Sequence, residues 1–184
     1  MEPIIIDGCL PRMFFDNAVS RITEWEKIPY VFLNSSAYGG KYNDPYDYSF
    51  CHLVFDKGIV LSPLYDVLYD SLLIALDKMS VSIGRLIRIR IGLITAQTFN
   101  KKHEPHVDMT YSHKTLLLYL NDVDGPTTLY NQFYDPTKEE FIWTVQQLIE
   151  PVANRAVLFD GLQYHSSSTP TTHPYRLVVN YNFK

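Results

Sequence analysis

Tyr175-Arg176-Leu177-Val178-Val179-Asn180-Tyr181-Asn182-Phe183 is the stretch on which the reading of the fold turns. Leu177, Val179, Tyr181 and Phe183 fall on one side of it, and Arg176, Val178, Asn180 and Asn182 on the other. A period of two belongs to a β-strand. One face is apolar enough for a core. The other carries a guanidinium and two carboxamides, which either meet solvent or line an interior polar pocket. Working outward, Arg85–Thr95 alternates in the same way, with Ile87, Ile89, Ile91 and Leu93 opposite Arg88 and Arg90. Thr115–Leu120 is almost continuously apolar, as in a strand covered on both faces. Shorter strands are expected at Thr127–Tyr130, Phe141–Val145 and Arg155–Asp160, with a turn around Asp135-Pro136. Ahead of them, two helices are expected. Pro11 to about Trp25 spaces Phe14, Phe15, Ala18, Val19 and Ile22 on one side. Ser62 and Pro63 open a second stripe of Leu64, Val67, Leu68, Leu72, Ala75, Leu76 and Met79. Helices followed by short strands and turns indicate an α+β protein on an antiparallel sandwich or barrel.

Composition bounds the function. The chain has 184 residues, enough for one sizeable core, and is read as one domain over 1–184. Sixteen Lys and Arg against twenty Asp and Glu give a net charge of −4, which argues against charge-driven binding to nucleic acid or anionic membrane. No apolar run approaches the ~18–20 residues that span a bilayer, and the start lacks a basic leader and cleavage signature. Cys9 and Cys51 have no metal-type spacing and read as reduced thiols in a cytoplasmic protein. The stretch from Asn34 to Ser49, with four tyrosines and Gly39-Gly40, reads as a long loop, either a substrate lid or a packed surface segment.

The chemistry-bearing residues begin at His106-Val107-Asp108. Two positions apart at a strand end, an imidazole and a carboxylate point the same way. His165, just after the strand Arg155–Asp160, supplies a third donor. Two histidines and one carboxylate on one side of an ion, with open positions opposite, are the ligand set of non-haem Fe(II) centres, and the absence of a cysteine argues against structural zinc. Arg176 follows His165 after ten intervening residues, and a guanidinium inside a pocket needs a carboxylate partner. The remaining histidines have bland readings: His103 and His113 as surface loop residues, His52 and His173 as structural. Arg85, Arg88 and Arg90 read as a solvated strand face, and Ser166–Ser168 as a loop without a nucleophile signature.

The assembly His106-x-Asp108, His165-x10-Arg176 resembles the 2-oxoglutarate/Fe(II)-dependent oxygenase superfamily, in its prolyl-4-hydroxylase-like branch and among its short single-domain phage and bacterial members. HEPHVD (103–108), TLLLYLNDVDGPTTLYN (115–131), IEPVANRAVLFDG (149–161), HSSS (165–168) and YRLVVNYNF (175–183) follow in that branch's order, so the resemblance covers about Arg85–Phe183. It implies a double-stranded β-helix (jelly-roll) core with supporting N-terminal helices. It implies Fe(II) held by His106, Asp108 and His165. It also implies 2-oxoglutarate held at its distal carboxylate by Arg176 and Tyr119, and O2 as oxidant with ascorbate as optional reductant. The implied activity is that of a dioxygenase hydroxylating a peptidyl, prolyl-like or other organic substrate, with release of succinate and CO2, in the cytoplasm (the host's, if phage-encoded). Two positions depart from the pattern. Val178 stands where many members have Ser or Thr two residues after the arginine. The contact to the metal-chelating end of the cosubstrate is unassigned, with Asn180 and Asn182 as candidates. A cupin-like metal protein that does not use 2-oxoglutarate, and a non-enzymatic binding module, remain the alternatives. Loops 34–49, 109–114 and 132–140 would rim the site.

Overall fold

The computed structural model describes residues 2–35, 44–138 and 141–184. Half of the stretch expected as a lid, 36–43, lies outside them. In chain order the elements are β1 (Ile4–Ile6), α1 (Arg12–Ile22), β2 (Val31–Leu33), β3 (Ser49–Asp56), β4 (Ile59–Val60), α2 (Tyr65–Lys78) and β5 (Leu86–Thr95). They continue with β6 (Lys114–Tyr119), β7 (Thr127–Phe133), β8 (Val145–Ile149), β9 (Ala156–Asp160), β10 (Gln163–Ser166) and β11 (Tyr175–Phe183).

Two antiparallel sheets result. The larger runs β1-β9-β6-β11-β5-β3-β2, with β4 on β3, and the smaller runs β10-β7-β8. Crossing from β6 in one sheet to β7 in the other, and back from β10 to β11, gives the jelly-roll arrangement. The alternation read from sequence decides which side of the large sheet meets what. Leu177, Val179, Tyr181 and Phe183 of β11, Ile89 and Ile91 of β5 and Leu116 and Leu118 of β6 pack on α1 and α2, through Phe15, Ala18, Ile22, Leu68, Leu72 and Leu76. The opposite side of β6, β9 and β11 presents Leu117, Tyr119, Val157, Phe159 and Val178 to Leu129 and Ile149 of the small sheet. Covered on both sides, β6 is apolar from Leu116 to Tyr119 for the reason given above. The polar residues of β11 and β5 are thereby confined between the sheets.

Several expectations are refined. Ser62 does not cap α2 directly. Its Oγ accepts the Leu64 amide at 3.2 Å in a turn that precedes the helix, and bonds His52 Nε2 at 2.7 Å. His52 Nδ1 sits 2.8 Å from the Pro29 carbonyl, so that histidine is structural, as expected. The strand expected at Phe141–Val145 lies at Val145–Ile149 instead. β8 leaves Val145, Gln146 and Leu148 exposed, which breaks the alternation. β3, which supplies one wall of the cavity described below, is a strand the sequence reading did not anticipate. Gly125, at φ +93°, lets the β6–β7 connection run against the chain at 168–169, where a Cβ would lie 2.8 Å from the Ser168 carbonyl oxygen. No helix among the described residues is long and apolar enough to cross a membrane.

Candidate metal centre

His106 and His165 meet through the backbone before their rings do. Each amide donates to the other's carbonyl at 2.9 Å, an isolated antiparallel bridge joining the segment after β5 to β10. The imidazole centroids stand 4.6 Å apart. His106 Nδ1 lies 3.1 Å from the Glu104 carbonyl and His165 Nδ1 lies 3.2 Å from the Gln163 carbonyl. A carbonyl only accepts, so each Nδ1 carries the hydrogen and each Nε2 is left with its lone pair. Asp108 completes the group, with Oδ2 4.0 Å from His165 Nε2. One donor atom from each of the three residues lies within 4.8 Å of the other two, a spacing that suits a single ion. The sequence reading placed His165 just past a strand. It sits inside β10, a four-residue strand too short and polar to register as one.

The electrostatics favour the ligand forms. Burial holds the His165 imidazole down to about 4, with His106 adding to the effect. Burial lowers His106 as well. Both rings are therefore neutral at pH 7. Burial alone would raise the Asp108 carboxyl, but Arg88, His165, Arg90 and His106 together outweigh it and hold it well below the usual range. Its neighbours are specific. Arg88 Nη2 donates to Oδ1 at 2.7 Å, while Asn180 and Asn182 donate to Oδ2 at 2.9 and 3.0 Å. Arg88 Nε also donates to Asn182 Oδ1 at 2.9 Å. The expectation of a solvated face at Arg88 and Arg90 is thus corrected. Both turn between the sheets because β5 pairs with β11 in a register that sets Arg88 beside Asn182 and Arg90 beside Asn180.

Arg176 is 2% exposed and lies on β11 four residues before Asn180, which bonds Asp108. Its Nη2 donates to Thr127 Oγ1 at 2.7 Å, and Tyr119 Oη donates to the same oxygen at 2.7 Å. The guanidinium carbon stands 5.3 Å from the Tyr119 ring centroid. Thr127 was not singled out in sequence. It presents a hydroxyl to Arg176 from the neighbouring sheet. Having accepted twice, that hydroxyl directs its own hydrogen elsewhere, toward a further acceptor. Arg176 Nε is buried without a hydrogen-bond partner, and no carboxylate pairs with this guanidinium among the described residues. Burial lowers its pKa and raises that of Tyr119, which Arg176 partly offsets. A charge so placed calls for an anion. A cavity open to solvent joins Arg176 and Thr127 to His106 and His165.

His103 and His113 are not surface residues. His103 is 1% exposed, with Nδ1 2.8 Å from Ser167 Oγ and Nε2 3.9 Å from Asp47, and burial takes its pKa down to about 4. His113 is 4% exposed and lies over Gly161, with Nδ1 2.8 Å from the Tyr111 carbonyl. His173, read as a structural turn residue, lies about half exposed with Nδ1 3.4 Å from Asp124. Ser166 and Ser168 are buried in strand and bridge pairing, and Ser166 Oγ bonds Tyr130 Oη at 3.0 Å.

No protein-family model and no curated protein sequence matches the chain. Solved structures do. The non-haem α-ketoglutarate-dependent epimerase SnoN from nogalamycin biosynthesis aligns with 99% of this chain and 77% of its own, at TM-score 0.69 and 15% identity. That enzyme has also been solved with Fe3+, α-ketoglutarate (2-oxoglutarate) and nogalamycin RO. A 2OG-Fe(II) oxygenase-family oxidoreductase from Burkholderia pseudomallei aligns over 99% and 84% of the two chains, at TM-score 0.65 and 10% identity. A Pseudomonas putida prolyl-4-hydroxylase aligns over 99% and 92%, at TM-score 0.60 and 12% identity. At these identities the likeness is one of architecture, and the protein has the double-stranded β-helix fold found in these 2-oxoglutarate/Fe(II) oxygenases.

Proposed function

We propose that this protein is an Fe(II)- and 2-oxoglutarate-dependent dioxygenase. His106, Asp108 and His165 are its iron ligands, and Arg176, Thr127 and Tyr119 hold the distal carboxylate of the cosubstrate. The observation that carries the reading is the pairing of two incomplete sites in one cavity. Neutral imidazoles and a carboxylate converge at one end, and a buried guanidinium without a carboxylate stands at the other. A five-carbon dicarboxylate with a 2-keto group suits both, because it carries a chelating end and a distal anion. Iron(II) bound there would let O2 oxidise 2-oxoglutarate to succinate and CO2, with one oxygen atom passing to a substrate C–H bond.

The chain's own residues bind and orient. Arg88, Asn180 and Asn182 hold the Asp108 carboxylate in place, and the Glu104 and Gln163 carbonyls hold the two ring tautomers. Arg176 and Thr127 present two donors to the distal carboxylate, and Tyr119 directs the threonine hydroxyl toward it. The walls of Leu117, Val178 and Ile94 keep that end dry. The substrate we assign is a peptide or a small organic molecule, in keeping with neighbours named for a prolyl hydroxylase and for nogalamycin biosynthesis. Free thiols at Cys9 and Cys51 suit a cytoplasmic location. The test is turnover. Protein supplied with Fe(II), ascorbate, O2 and 2-oxoglutarate should form succinate, and Asp108→Ala should reduce the rate by about a hundredfold or more. Wild-type protein that forms none, and binds no 2-oxoglutarate in the presence of metal, would end the proposal.

A further inference from the structure

The cavity holds a second guanidinium that the proposed chemistry does not use. Arg90 lines it on β5, beside Asn180, Cys51 and His106. Its Nε is buried without a hydrogen-bond partner, and its Nη2 stops 3.8 Å short of Asp108, whose Oδ1 already receives Arg88 at 2.7 Å. A quarter of the Arg90 side chain stays open, and the space it borders is the cavity. Asn180, its cross-strand partner, gives its Nδ2 to Asp108 and leaves Oδ1 without a donor. A guanidinium held only by a long ion pair to Asp108, with its Nε unsatisfied, and a carboxamide oxygen without a donor thus stand side by side.

Charge balance sharpens the point. Arg88, Arg90, Arg176 and an iron(II) ion bring five positive charges to the space between the sheets. Asp108 and the two carboxylates of 2-oxoglutarate bring three negative ones. Among the described residues no acidic side chain lines the cavity, and the buried Asp47 stands 3.9 Å from His103, so at least one positive charge remains after the iron, the cosubstrate and Asp47 are accounted for. Arg88 is fully engaged by Asp108 and Asn182, which leaves Arg90 as the group open to a partner. Leu33, Phe50 and Val178 give the same cavity an apolar lining.

Resting on the function proposed above, we infer that the primary substrate is an organic acid: Arg90 binds its carboxylate while Leu33 and Phe50 contact its apolar body. A carboxylate there would form charge-assisted bonds in a space shielded from bulk water, where such bonds discriminate strongly against the neutral amide.

The test uses protein loaded with Ni(II), which occupies the metal site without turnover, and saturated with 2-oxoglutarate. Phenylacetate, 3-phenylpropionate and hexanoate are titrated against their carboxamides by calorimetry. At least one acid should bind about tenfold or more tightly than its amide. Arg90→Gln should abolish that preference while changing 2-oxoglutarate affinity by less than about threefold, and Arg90→Lys should retain part of it. Equal binding of acids and amides, binding of none of the acids, or a preference that survives Arg90→Gln would overturn the inference. So would a loss of 2-oxoglutarate affinity beyond about threefold in Arg90→Gln, since the guanidinium would then serve the cosubstrate. The acid–amide comparison on unaltered protein stands even if the variants fold poorly. Failure of the underlying function would look different: wild-type protein would not bind 2-oxoglutarate at all, and the same comparison on the Ni(II) protein would still decide the role of Arg90.

Discussion

The Thr127 hydroxyl is the smallest group on which much depends. It accepts from both Tyr119 and Arg176, and its removal leaves two buried donors unmatched. Thr127→Val should cost about 1–3 kcal/mol in urea unfolding and weaken 2-oxoglutarate binding about tenfold, with Thr127→Ser restoring most of both. Spacing singled out His106, Asp108, His165 and Arg176, whose residue types carry recognisable chemistry, and the family resemblance added Tyr119. A threonine in a Thr-Thr pair carries no such mark, and its role exists only once β7 is folded across the cavity. Protonation is a residue-scale matter too. His103 and His165 have their pKa held near 4 in the folded protein, against 6.5 for an unperturbed ring. Between those values the unfolded chain takes up protons that the folded protein refuses, so stability rises with pH across that window. Metal-free protein should therefore lose stability progressively from pH 6.5 down to 4 and change little from pH 6.5 to 8. Urea midpoints across pH check this, and a midpoint independent of pH between 4 and 6.5 would contradict it.

Strands organise those residues. The alternation of β11 placed Arg176, Asn180 and Asn182 together on one side, and the structure turns that side inward. For β5 the same alternation was visible, yet Arg88 and Arg90 read as solvated, because a charged strand face usually is. What reverses the reading is Asp108, twenty residues from Arg88 in sequence and brought to it by the fold. Asn182→Leu should lower metal affinity about tenfold or more, since Asp108 loses a donor and Arg88 an acceptor, while the core side of β11 stays intact. Co(II) titration measures it, and wild-type affinity in this variant would refute the positioning role. His113 makes a parallel case. A Cβ on Gly161 would lie 2.2 Å from His113 Nε2, so Gly161→Ala should destabilise by about 1–3 kcal/mol. Adding His113→Ala should recover much of that loss in thermal unfolding, because the overlap then disappears.

At the scale of the molecule, most strands of the C-terminal half were legible, β10 and the position of β8 were not, and the N-terminal half was legible only in its helices. β5 and β11 alternate and β6 and β9 are apolar runs, but β1, β2 and β3 are apolar segments whose pairing is decided by distant partners: Ile4–Ile6 joins β9, and β3 joins β5. No local period announces such pairing. The helices back the large sheet, the small sheet closes over it, and the polar sides of β5 and β11 are left facing an interior space with one carboxylate and three guanidiniums. Anaerobic calorimetry of 2-oxoglutarate into the protein, with and without Fe(II), examines that arrangement most directly. The account predicts one cosubstrate per chain, tight binding only with metal present, and loss of about tenfold or more in either Asp108→Ala or Arg176→Gln. Binding that is indifferent to metal, or unchanged in both variants, would contradict it.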